Sequence, residues 1–275
     1  MKIDYTSDLH LDYIMGSNGE YDKQAFKKLL KVRMGFRSTQ SDVLIIAGDL
    51  GHYNNQIIAF LKFMAEHYYK HVIFVHGNHD LYLLTNQMET YNNDSFRRLD
   101  ELKQKASELN NVHFLDGEVV EIDGVKFAGS SLWYDYSYSL HNVSEIEAYY
   151  FKNINDSKRI MKPRGYINNL EYAAIQKKKL LNVIKKEDPQ IIISHIPPDI
   201  ELCEGSNKIK KDPSYLSCFY CTDTSDFDPY IKDKIWIFGH IHNVVKKEKR
   251  GCTFLSSPYG YYMQERANMF GRLEV

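Results

Sequence analysis

Apolar residues in this chain fall into short, nearly unbroken runs separated by stretches of helical spacing. Ile3 to Ser7, Asp42 to Ala47, Val72 to Val75, Gln190 to Ile193 and Ile235 to Phe238 are the runs. Such runs are expected of strands buried on both faces. Between them, Phe26, Leu29 and Leu30 predict a helix from Asp22 to Met34 that Gly35 ends. Ile57, Phe60, Leu61 and Met64 form an i, i+3, i+4, i+7 stripe, and Leu99, Leu102, Ala106 and Leu109 predict a helix over Ser95 to Leu109. A helix over Leu170 to Lys186 turns Ala173, Ala174, Leu180, Leu181 and Ile184 inward and stops before Pro189. Strand–helix alternation of this kind predicts an α/β fold.

The alternation breaks in four places. Val112 to Leu115, Val119 to Ile122 and Val125 to Ala128 read as short strands, the last two joined by the hairpin dipeptide Asp123-Gly124, so antiparallel pairing is expected there. Residues 134–169 lack regular spacing and mix Tyr134, Tyr136, Tyr138, Tyr149, Tyr150 and Tyr166 with Arg159, Lys162 and Arg164. A stretch this long is read either as a lid whose rings and cations reach a substrate, or as a surface excursion. Residues 197–233 are a second irregular region. Val244 to Lys249 and Cys252 to Ser256 then form an antiparallel pair turned at Arg250-Gly251. No repeat or interdomain linker interrupts residues 1–275, which are read as a single domain.

Potential metal donors cluster where apolar runs end. Asp8 and His10 follow the first run, Gly48-Asp49 the second, Gly77-Asn78-His79-Asp80 the third, Ser194-His195 the fourth and Gly239-His240-Ile241-His242 the fifth. A sheet edge is where open α/β folds place their ligands. A strand period of two would turn both side chains of Asp8-x-His10, and of His240-x-His242, to one face. Mixed carboxylate, amide and imidazole donors suit Mn, Fe, Zn, Ni or Co better than Ca or Mg. Asp8, His10, Asp49, Asn78, His195, His240 and His242 are more donors than one ion needs, so two ions are expected, with Asp49 as the natural bridge. Glycine before Asp49, Asn78 and His240 implies crowding at that edge. Asp80 is expected to cap the next helix or orient His79.

Composition narrows the classes. With 35 basic and 36 acidic residues the net charge is −1, so no global field holds nucleic acid nonspecifically. No apolar run approaches a membrane span, and the N-terminus enters a strand at once without a signal-peptide pattern. Four irregularly spaced cysteines, including Cys218-x-x-Cys221, are expected to be reduced thiols of a cytoplasmic protein.

Together the five groups resemble the blocks of the calcineurin-like metallophosphoesterases, in family order from residue 8 to residue 242. The resemblance implies a four-layer α/β/β/α sandwich of two mixed sheets flanked by helices. It implies a first metal, Mn by preference, on Asp8, His10, Asp49 and His242, and a second on Asp49, Asn78, His195 and His240. It implies His79 as general acid and hydrolysis of a small phosphomonoester or phosphodiester by hydroxide generated at the metals, a nucleotide being one such substrate. Protein serine/threonine phosphatases carry an Asp where this chain has His52, which argues against that branch. A histidine there is similar to Mre11-type nucleases, but little chain follows His242 for their capping domain, so nucleic acid is not the favoured partner. A non-catalytic scaffold is the remaining alternative. The oligomeric state is not specified.

Ordinary structural roles are expected for the other polar residues: His67, His71, His113 and His141 have no catalytic part, and Asp12 is solvated. His76 is open between a supporting and a core role, and His52 between tuning His79 and lining the pocket. Lys246 to Arg250 read as a polar strand edge.

Overall fold

A computed structural model describes residues 1–16, 23–33, 36, 38–206, 213–261 and 270–275. The first sheet contains β1 (Lys2–Thr6), β2 (Val43–Ala47), β3 (His71–Val75), β4 (Val112–Phe114) and β13 (Gly271–Glu274), in the order β13-β1-β2-β3-β4. The second contains β5 (Glu118–Ile122), β6 (Val125–Gly129), β9 (Ile191–Ile193), β10 (Ile235–Ile237), β11 (Val245–Lys249) and β12 (Cys252–Ser256), in the order β11-β12-β10-β9-β6-β5. A small hairpin, β7 (Met161–Lys162) and β8 (Gly165–Tyr166), stands apart. Each large sheet is parallel in its interior, with antiparallel strands only at its margins: β13 beside β1, β11 beside β12 and β5 beside β6. This is the expected α/β/β/α sandwich of two mixed sheets.

Period-two alternation explains the layers. Val43, Ile45, Ala47, Ile73 and Val75 point inward and meet Phe127, Ile191, Ile193 and Ile237 of the other sheet in one buried cluster. Their neighbours Leu44, Ile46, Val72, Phe74, Ile192 and Trp236 point outward to the helices. The helices are α1 (Leu11–Met15), α2 (Lys23–Lys28), α3 (Asn54–His67), α4 (Ser95–Ser107), α5 (Val143–Asn153), α6 (Asp156–Arg159), α7 (Asn169–Glu187) and α8 (Pro213–Tyr220). The stripes of α3 and α4 are buried, and α7 covers the second sheet with Leu180 and Ile184. Strands with such neighbours on both sides are nearly all apolar because neither face meets water.

The structure corrects several expectations. β4 is parallel to β3, because α4 forms a crossover between them; only β5 and β6 make the antiparallel hairpin. The predicted helix over residues 22–34 is α2 followed by a π-helical segment, Leu29–Arg33, while Asp22, Met34 and Gly35 lie outside the described residues. Residues 134–169 hold α5, α6 and the β7–β8 hairpin, and among the described residues of 197–233 α8 lies between the 3-10 turns Ile200–Cys203 and Ser225–Tyr230. In α5 only Ile146 and Tyr150 are buried, too few for an apolar period, and a capping box between Asn142 and Glu145 fixes its start. The basic stretch lies on β11, an edge strand, as expected.

β13 was not anticipated, since its four residues alternate without a large apolar face. Asp4 of β1 ties it down. The buried Asp4 carboxylate accepts from Arg272 at 2.8 Å, Thr39 at 2.6 Å, Ser41 at 2.7 Å and Tyr69 at 3.0 Å. Burial opposes ionisation, but these four donors outweigh it and hold the carboxyl below its usual range. Its stabilisation is therefore complete above the unfolded pKa and lost as pH falls through the lowered folded value. Asp4→Asn is expected to cost about 2 kcal/mol at pH 7 by denaturant titration, the deficit shrinking below about pH 4.

Candidate metal centre

The C-terminal ends of β1, β2, β3, β9 and β10 meet at one edge of the sandwich. All seven predicted donors lie there and are buried, from 0% exposed at Asp8 and His195 to 6% at His240. Asp8, His10 and His242 form one group, and Asp49, His195 and His240 another, with the ligand atoms of each group within 4.8 Å of one another. Asp49 faces both: its Oδ2 is 3.9 Å from His10 Nε2 and its Oδ1 is 3.4 Å from His195 Nε2. His242 Nε2 lies 3.1 Å from Asp8 Oδ1, and Asn78 Oδ1 lies 3.1 Å from His195 Nε2.

How the paired residues reach this edge differs from the strand-period expectation. β1 stops at Thr6 and β10 at Ile237, so both Asp-x-His and His-x-His lie in loops. Asp8, His10, Asp49, His240 and His242 have φ of 54°, 43°, 58°, 70° and 56°. Left-handed conformations in non-glycine residues cost of order 1 kcal/mol or more each and gather at functional sites. Backbone hydrogen bonds hold the first three, Asp8 N–H to Gly48 O and His10 N–H to Asp49 O, both at 3.0 Å, and His240 N–H donates to the Asp8 carboxylate at 3.1 Å.

Asp80 holds the same loops, not His79. Its buried carboxylate accepts from the N–H groups of Gly77 at 2.7 Å, Asp49 at 2.9 Å, Leu50 at 3.0 Å and Gly51 at 3.1 Å. Burial, then the nearby Asp49 charge, raises its pKa to about 6. The glycines are sterically required. A methyl on Gly77 would strike the Asp49 carboxylate and sit 2.8 Å from His195 Cε1; one on Gly48, itself at φ 83°, would meet the His195 ring.

Outer contacts orient the imidazoles. His195 Nδ1–H donates to Ala47 O at 2.8 Å, which leaves Nε2 for the site. His240 Nε2–H donates to Phe219 O of α8 at 3.1 Å and turns Nδ1 inward. Burial would raise the Asp49 pKa, but His195, His79 and His10 outweigh it and hold the carboxyl well below the usual range. Burial likewise opposes charge on His195, yet Asp49 and Asp8 raise it to about 9. Buried carboxylates drawing protons onto imidazoles are a donor set that fits divalent cations, which would replace those protons.

His79 and His52 lie beside the centre. His79 Nδ1 is 2.9 Å from His52 Nε2, and His52 Nδ1 is 2.8 Å from Asp12 Oδ2. His52 thus contacts His79 directly, and Asp12 is a buried-side partner at 10% exposure, contrary to the solvated role expected of it. Burial opposes ionisation of Asp12, and His52 outweighs it and lowers the carboxyl pKa. His76 is buried against Tyr172, Asp116 and Phe114, and burial depresses it to about 4. His71 and His113 contact each other at 3.2 Å, and His141 stacks on Tyr215. All four cysteines are free and buried.

A cleft of about 180 Å³ opens over Asp49, Asn78, His79 and His240, walled by Tyr82, Asp156, Phe219, Tyr220 and Tyr261. It is smaller than the roughly 300–1,000 Å³ of a drug-sized pocket. Sequence reasoning missed Asp12, Tyr82, Asp156 and Tyr261. Tyr261 lies over the centre, stacked on His10 at 4.7 Å. Among the described residues no helix is long and apolar enough to cross a membrane.

A two-sheet sandwich with Asp, Asn and His donors at its strand ends defines a metallophosphoesterase, and the chain belongs to the calcineurin-like phosphoesterases, whose family profile matches residues 1–244. It is a metal-dependent hydrolase of phosphoester bonds. Among curated proteins it is 28% identical to uncharacterized protein L509 of Acanthamoeba polyphaga mimivirus over 96% of this chain and 92% of that one. Its fold is similar to that of phosphopantetheinyl hydrolase (PptH) from Mycobacterium tuberculosis, with a TM-score of 0.74 and 18% identity, covering 99% of this chain and 95% of the other.

Proposed function

We propose that the protein hydrolyses a small phosphomonoester or phosphodiester in the cytoplasm at a two-cation centre, residues 1–275 acting as one domain. The observation that carries this reading is Asp49, whose two carboxylate oxygens face separate donor groups. Asp8, His10, Asp49 and His242 would hold one cation, and Asp49, Asn78, His195 and His240 the other; Mn is the first choice, with Fe, Zn, Ni and Co as alternatives. Two such cations would supply Lewis-acid charge to the phosphoryl oxygens and acidify the attacking water.

The chain itself supplies the proton. Asp12 accepts from His52 Nδ1–H, so His52 Nε2 is left as an acceptor for His79 Nδ1–H. With Nδ1–H given to His52, His79 is an acid only as the imidazolium, whose second proton, on Nε2, is the one given to the departing oxygen when the P–O bond breaks. An alkoxide leaving group needs such a donor. The small cleft favours a compact ester, and the free cysteines support the cytoplasmic placement.

The test is a screen of metal-free protein reloaded with each candidate metal. Substrates are p-nitrophenyl phosphate, its bis ester, nucleotides, cyclic nucleotides and, because of the mycobacterial neighbour's name, a phosphopantetheinyl ester. Turnover of at least one with Mn²⁺ is expected; no turnover with any metal would refute the reading. The His52–His79 contact favours a nuclease as second reading, decided by incubation with single- and double-stranded oligonucleotides.

A further inference from the structure

We infer that Asp156 is a positioning residue for Asn78, locking its amide so that Oδ1 faces the cation position it shares with His195, and that residues 134–169 buttress this centre. The inference rests on the reading of Asn78 as a ligand given above.

An asparagine side chain is nearly symmetric in shape, but only its oxygen can meet a cation. An amide turned the wrong way would aim two N–H groups at positive charge. Something must therefore choose the orientation. Asp156 does so, since its Oδ1 accepts from Asn78 Nδ2 at 2.9 Å while Asn78 Oδ1 points the other way, 3.1 Å from His195 Nε2. An ionised carboxylate only accepts, so the NH₂ end is drawn to Asp156 and the oxygen is left for the centre.

Asp156 is itself fixed from two other parts of the chain. Tyr134 donates to its Oδ2 at 2.8 Å and Tyr82 donates to its Oδ1. Tyr134 is fully buried, Tyr82 is 5% exposed and Asp156 is 4% exposed. Tyr82 follows the Asn78 loop, Tyr134 follows β6, and Asp156 opens α6. These three hydrogen bonds all come from neutral donors. Neutral donors compensate a buried carboxylate less fully than Lys or Arg would, so its retention beside a ligand calls for a reason. A negative charge one amide away from a bound cation supplies one. Within residues 134–169, Tyr134 is buried inside the protein, and Asp156 both borders the cleft and holds the Asn78 amide.

The test is calorimetric titration of metal-free protein with Mn²⁺, alongside thermal melts. Wild type is expected to take up two ions per chain. Asp156→Leu removes the acceptor and should weaken one of the two binding events by about 10–100-fold while leaving the other unchanged. Asp156→Asn keeps an acceptor oxygen for Asn78 without the charge and should fall between the two. Equal affinities in wild type and Asp156→Leu would overturn the inference alone. So would a parallel loss at both positions together with a lowered melting temperature, the mark of a merely structural carboxylate. Uptake of fewer than two ions by wild type would overturn the ligand assignment, and this inference with it.

Discussion

Asp49→Ala is expected to leave a folded protein that purifies with only traces of divalent metal and hydrolyses phosphate esters at least about 10³-fold more slowly. Asp49 contributes to both donor groups, so its loss damages two cation positions at once. It also accepts the His79 N–H at 2.8 Å and fills the space that Gly77 leaves open, so the third block should shift as well. The measurements are elemental analysis and turnover of the best substrate, with circular dichroism to confirm folding. A variant that kept its metals, or its rate, would show that the bridge is elsewhere.

His79→Asn is expected to separate chemistry from metal binding. His79 lies within ligand distance of His10 and Asp49, so a ligand role is the competing explanation. If His79 is the proton donor, the variant retains its metals and loses about 10²–10⁴-fold on alkyl esters. The loss on p-nitrophenyl esters should be much smaller, because that leaving group departs without a proton. A plot of rate against leaving-group pKa should therefore steepen. His52→Asn should move it in the same direction by less, since His52 acts through the 2.9 Å contact with His79. A slope unchanged from wild type, or a fall in metal content, would remove His79 from this role.

These residues were legible because each lies where a buried apolar run ends. Asp49 follows Val43–Ala47, and His195 follows Ile191–Ile193. The glycines beside them announced the crowding that Gly48 and Gly77 show. Their backbone conformation was not legible. Period-two reasoning assumes a strand, whereas Asp8, His10, His240 and His242 sit beyond strand ends in left-handed conformations, which at the first three go with hydrogen bonds to distant parts of the chain.

Support from distant chain was not legible either. Nothing local to Asp12 indicates that His52, forty positions on, will bond it. Asp156 is one carboxylate in a stretch with no apolar period, and its meaning arises only when Tyr82, Tyr134 and Asn78 converge on it. One signal was available: Asn142 and Glu145 have capping-box spacing, which marks the start of α5 within residues 134–169. The reassignment of β4 has a similar origin. Its three residues carry no mark of direction, and α4 decides it by returning the chain parallel to β3.

Anomalous scattering from crystals of the protein grown with Mn²⁺ tests the central claim most directly. Two peaks in contact with the Asp49 carboxylate are predicted, one also touching Asp8, His10 and His242, the other Asn78, His195 and His240. A map with no peak at Asp49, or with one ion held by donors from only one of the two groups, would contradict the account.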